Sequence, residues 1–152
     1  MSVHALKLAE TGDRSLKFPA YGALVIATLH VGLALRISSK RLNAAKKGDP
    51  SLLEADEFRV ALRCQSNHSE YSGIMVAMLL YLQWNADKTK QLSPLGKWSS
   101  ILATLGSVAF VAGYNVLPDI THTNVIKSGG AAIRYFGFAG LIASVVQTAI
   151  KQ

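Results

Sequence analysis

Arg59, Arg63, Asn67, Glu70 and Tyr71 are five polar residues set into a segment that turns apolar soon after them. At about 100° per residue they fall within an arc of roughly 120° on a helix. An Arg or Asp at the centre of a membrane span costs about 2.5–3.5 kcal/mol on insertion scales, so such residues face the interior of a bundle or a wet cavity. One residue of this kind is most simply an interhelical hydrogen bond or ion pair. Five on one face point to a site, and arginine in such a site suits carboxylates, which it clamps in bidentate fashion.

The elements that carry this stripe follow from the distribution of apolar residues. In 152 residues there is room for one domain; half are hydrophobic and 16% are charged. Four long apolar stretches recur with the charges crowded between them, which predicts an all-α integral membrane protein with a bundle of four transmembrane helices. The spans are read at about 18–37, 58–85, 98–117 and 129–150. Residues 1–17 form a polar tail without the apolar core of a secretory signal, and residues 18–152 form the membrane domain. Pro19 sits in the first turn of its helix, where the missing N–H costs nothing. Arg36 can reach the headgroups. A basic connection at 38–50 (Lys40, Arg41, Lys46, Lys47) ends in a Gly-Asp-Pro turn. An acidic lead-in at 52–57 suits a helix N-terminus, and Tyr81 and Trp84 suit an interfacial belt. The loop at 85–97 is polar. The third span is rich in small residues (Ala103, Gly106, Ser107, Ala109, Gly113) that let helices approach closely, and Pro118 ends it. The loop at 119–128 leads to a fourth span with one charge, Arg134.

Several chemistries are set aside. The net charge of +7 sits beside apolar spans, where it serves topology and lipid headgroups rather than nucleic acid. A single cysteine, Cys64, excludes an internal disulfide, and without an adjacent base it reads as packing. His4, His30, His68 and His122 lack ligand spacing, so no metal is expected; His30 reads as an interhelical hydrogen-bonding group. Asn67-His68-Ser69 is a formal glycosylation sequon that a membrane helix makes unreachable.

The run Arg63-Cys64-Gln65-Ser66-Asn67-His68-Ser69-Glu70-Tyr71 resembles the R-x-Q-x-N-x-x-E-Y signature of the MAPEG proteins, the membrane-associated proteins of eicosanoid and glutathione metabolism. Ile37-Ser38-Ser39-Lys40-Arg41 is similar to the basic end of that family's first helix. Phe110-Val111-Ala112-Gly113-Tyr114 is similar to its third-helix Y-x-x-G-Y segment, and Arg134 before Tyr135-Phe136-Gly137 to its fourth-helix arginine. The resemblance implies a homotrimer that binds glutathione between subunits, near the cytosolic helix ends. Lys40, Arg41, Arg63 and Gln65 would hold the carboxylates and backbone of glutathione, and Glu70 its ammonium. Asn67, Tyr71 and Tyr114 would complete the polar walls. Arg134 would face the sulfur as the catalytic residue: a free thiol has a pKa of about 8.5, and a nearby cation raises its thiolate fraction. The implied activity is a glutathione transferase acting on apolar or lipid electrophiles, with lipid-hydroperoxide reduction as a second reaction, in the endoplasmic reticulum or another organelle membrane such as the mitochondrial one. The chain departs from the pattern at Phe110, which lacks a hydroxyl, at Ser107, where many members have arginine, and at Ser72-Gly73, where a proline is common. These departures keep two other readings open, a non-catalytic lipid-binding protein and a structural subunit of a larger assembly.

Overall fold

The computed structural model of the chain describes residues 14–116 and 124–151. The polar tail up to residue 13, with His4, therefore lies outside the described residues, as do Leu117, Pro118 and residues 119–123 of the loop, with His122. Four long helices make up the fold: α1 (Phe18–Lys47), α2 (Asp56–Thr89), α3 (Pro94–Val116) and α4 (Val125–Ile150). α1, α3 and α4 are long and apolar enough to cross a membrane, whereas α2 is not. Its first half carries the polar stripe, which dilutes the apolar run that follows.

Each helix outruns the apolar stretch that announced it. α1 continues ten residues past Ile37, through the basic segment expected to be a connection. Lipid ends where the charges begin, but residues 38–47 contain no Gly or Pro, so nothing interrupts the backbone ladder. It stops at Gly48, which takes the left-handed conformation (φ 62°) and donates its N–H to the Ala45 carbonyl at 3.1 Å. A 3₁₀ turn over Pro50–Leu53, capped by Asp49 accepting from the Ser51 N–H at 3.0 Å, turns the chain into α2. Asp56 and Glu57 lie in the first turn of α2, on the positive end of its dipole, as expected. The loop expected at 85–97 shrinks to residues 90–93, because α2 runs on to Thr89 and α3 starts at Pro94.

α3 and α4 form the closest-packed pair in the fold. Buried positions on α3 follow a three-four spacing, Gly96, Ser99, Ala103, Gly106, Phe110 and Gly113. Those on α4 do the same, with Gly130, Arg134, Gly137, Leu141 and Ser144. That is a heptad seam built from small residues, which lets two antiparallel backbones nearly touch. A Cβ added at Gly106 would collide with the Arg134 backbone, and one at Gly113 would come within 2.6 Å of the Lys127 nitrogen. α1 and α2 pack across this pair. Ile26, Met75, Leu79, Leu82, Ala103 and Leu141 form one buried cluster; Leu33, Val60, Cys64, Phe110, Val111 and Tyr114 form another. Arg36 donates to the Asn115 side chain of α3 at 2.5 Å, in an exposed position.

Candidate functional site

The stripe on α2 lies at the edge of its buried face. Asn67 and Tyr71 are half-buried, while Arg59, Arg63 and Glu70 are exposed on the outside of the single chain. The inner edge is where the other helices contribute. The Asn67 amide donates to the Tyr114 hydroxyl of α3 at 3.0 Å. Arg134 of α4 reaches toward the Asn67 carbonyl at 3.5 Å. Asn67, Tyr71, Tyr114 and Arg134, widely separated in the chain, thus meet at one place.

Arg134 is the group whose environment is most unusual. It is 1% exposed, and among the described residues it makes no ion pair. Its guanidinium carbon lies 4.1 Å from the Phe110 ring centre, 5.3 Å from that of Tyr135 and 5.4 Å from that of Tyr71. Its Nε is buried with no hydrogen-bond partner among the described residues. Aromatic faces attract a cation but leave its N–H donors unused, so this arginine retains donor capacity for an anion. Gly106 sets its place: with no side chain there, α4 sits close enough to α3 for the guanidinium to lie against Phe110.

The other candidates stand apart. Lys40 is bound to Glu57 at 2.7 Å. That hydrogen bond and the Lys40 charge hold the Glu57 carboxyl below the usual carboxylate range. Arg41 is exposed near the end of α1. Gln65 is half-buried, but two residues correspond to about 200° of helix, so it lies roughly 160° around α2 from Arg63. One chain does not bring Arg63 and Gln65 to a common point.

Two features near the site escaped the sequence reading. Phe110 is the closest ring to Arg134 rather than merely a missing hydroxyl. Tyr135 adds a second face, signalled only by its place next to the arginine. His30, read as an interhelical group, is one: its Nδ1 lies 3.1 Å from the Ser72 hydroxyl. His68 beside it is fully buried, with Nε2 3.4 Å from the Ile26 carbonyl. Cys64 is fully buried among apolar neighbours, as packing requires.

A family model described as MAPEG family matches residues 19–147, most of the chain. Comparison with curated proteins and with solved structures finds no match.

Proposed function

The chain belongs to the MAPEG family, and on that premise we propose that it is a membrane glutathione transferase whose sites form between copies of the chain in a homotrimer. α2 completes a four-span bundle, its polar stripe turned toward a neighbouring copy rather than lipid. Three requirements of glutathione match the candidate residues: cations for two carboxylates, an acid for the ammonium, and a cation for the thiolate. Arg63, Lys40, Arg41 and Gln65 serve the first, with Lys40 exchanging Glu57 for the ligand. Glu70 serves the second, and Asn67, Tyr71 and Tyr114 form the wall between them.

The observation that carries this reading is Arg134, a buried guanidinium wedged among three rings, its Nε without a partner among the described residues. A buried cation without an anion is costly; a bound thiolate supplies the anion. With the thiol deprotonated, the sulfur lone pair attacks an apolar electrophile arriving from the bilayer, forming a carbon–sulfur bond as the leaving group departs with its electron pair. The proton released from the thiol passes to solvent. A lipid hydroperoxide offers the same thiolate an oxygen as electrophile. An organelle membrane such as the endoplasmic reticulum or mitochondrion fits a substrate pool of this kind.

The test is glutathione binding to the purified, detergent-solubilised protein, followed after adding a generic aryl halide. Saturable binding with conjugate formation supports the transferase. Binding without turnover favours a lipid-presenting protein, a reading supported by Phe110, which offers Arg134 a ring face and no hydroxyl. Absence of binding overturns both and leaves the structural subunit.

A further inference from the structure

The end of the bundle farthest from Lys40 carries a second concavity. It gathers the start of the chain's helical part, the α2–α3 connection and the last turn of α4 around a cavity of about 660 Å³, within the size range of small-molecule sites. Along α4, Lys151 lies seventeen residues beyond Arg134, or about 25 Å, so this cavity is separate from the candidate glutathione site. Thr89, Lys90, Gln91, Ser93, Gln147 and Lys151 supply its polar wall, and among the described residues no acidic one lines it.

Lysines are plentiful at this end, and they divide into two kinds. Lys88 rests on the Trp84 ring at 3.8 Å and Lys97 lies 5.5 Å from the Phe18 ring centre. Lys90 and Lys151 border the cavity instead, and among the described residues neither makes an ion pair. Lys90 also holds a left-handed backbone (φ 57°), the only non-glycine residue to do so among those described. At the end of α1 the same conformation falls to Gly48.

The depth of the cavity identifies its occupant. Trp84 and Trp98 are 52% and 60% exposed, as rings anchored at a membrane–water interface are. Lys90 lies six residues beyond Trp84 on the outer side, about 9 Å along the helix, and Pro94 lies four residues outside Trp98, about 6 Å. The headgroup layer on each side of the hydrocarbon is about 5–8 Å thick. The cavity therefore sits toward the outer edge of the headgroup layer, cationic and, among the described residues, free of carboxylates. The geometry points to a binding site for the phosphate-bearing headgroup of an anionic phospholipid, held by Lys90 and Lys151 with hydroxyl and amide groups around it. Both lysines also lie at helix C-termini, where they complement the dipoles; that role alone predicts no preference among lipids.

The experiment measures thermal unfolding of the detergent-solubilised protein while titrating dioctanoyl phosphatidylglycerol, dioctanoyl phosphatidylcholine or inorganic phosphate. Stabilisation that saturates with phosphatidylglycerol, and is absent with the other two, is expected. Lys90→Gln with Lys151→Gln should weaken the apparent affinity by about tenfold or more. Lys46→Gln with Lys47→Gln, which removes the same charge at the opposite end, should not. An equal response to phosphatidylcholine, or to inorganic phosphate, overturns the lipid site, the latter in favour of a soluble anion. Undiminished phosphatidylglycerol affinity in the Lys90/Lys151 variant overturns it as well. The comparison of three ligands on the unaltered protein decides the matter even where the double variant fails to fold.

Discussion

Among the described residues no carboxylate pairs with the buried Arg134, and its charge is met by three ring faces and one distant peptide carbonyl. Ring faces meet the charge but use none of the guanidinium's N–H donors, so the site leaves room for an anion. Arg134→Ala should therefore raise the pKa of bound glutathione, seen as loss of thiolate absorbance at neutral pH; an unchanged signal would remove Arg134 from the chemistry. The variant should still fold, since an uncompensated charge leaves along with its contacts. Arg63 is different, being exposed on the single chain. Arg63→Ala should abolish glutathione binding, measured by calorimetry, without lowering the unfolding temperature of the unliganded protein. Retained affinity would move the carboxylate clamp elsewhere. Glu57 offers a pH test at the basic end of α1. Its carboxyl is held below the usual range by Lys40, so the folded state favours the ionised form. The stability this adds is present above the unfolded pKa of about 4.3 and is lost as pH falls through the lower folded value. The difference in unfolding temperature between wild type and Glu57→Gln should be constant above about pH 5 and shrink on further acidification. A difference that persists at low pH would assign it to something other than this ion pair.

At the scale of the helix, hydropathy located all four elements but not their ends. Residues 38–47 looked like a connection because hydropathy reports where lipid stops, whereas the helix stops where the backbone ladder is broken, at Gly48. α2 was readable as a helix from its apolar second half, and the stripe that marks it as functional is also what keeps it from passing as a span on composition. The site was readable to the same depth. Asn67, Glu70 and Tyr71 share a face by helical period alone, but the meeting of Arg134 with Asn67 and Phe110 depends on interhelical register, which no periodicity within one segment encodes. The register is set by the glycine seam of α3 and α4. Gly106→Ala should force the two backbones apart, with a cost in the range of about 1–3 kcal/mol for overpacking, and should lower thiolate absorbance with Arg134 still present. Gly32→Ala, where an added Cβ meets nothing within 4 Å among the described residues, should be neutral or stabilise by up to about 1 kcal/mol. Thermal unfolding of both variants tests this, and equal effects would deny the seam its role in placing Arg134.

The whole molecule poses a geometrical problem that one chain does not solve. Arg63 and Gln65 are both proposed to hold glutathione, yet they lie about 160° apart around α2, at opposite edges of its exposed face, with Leu62, Ser66 and Gly73 on the arc between them. Arg63 and Glu70 point outward, an arrangement that is costly in lipid and unremarkable at a boundary between copies. If a site takes Arg63 from one copy and Gln65 from the next, the two requirements become compatible in a closed ring of identical contacts. Light scattering of the detergent-solubilised protein should then give the mass of three chains. A complementation experiment reaches further. Arg63→Ala and Gln65→Ala should each abolish or sharply weaken glutathione binding when expressed alone. Co-expressed, they form mixed rings in which some boundaries pair an intact Arg63 with an intact Gln65, and a fraction of wild-type sites should reappear at wild-type affinity. Were both residues to serve a site within one chain, every site in the mixture would lack one of them and no high-affinity binding would return. Recovery thus measures whether the site is shared, separately from whether each residue matters.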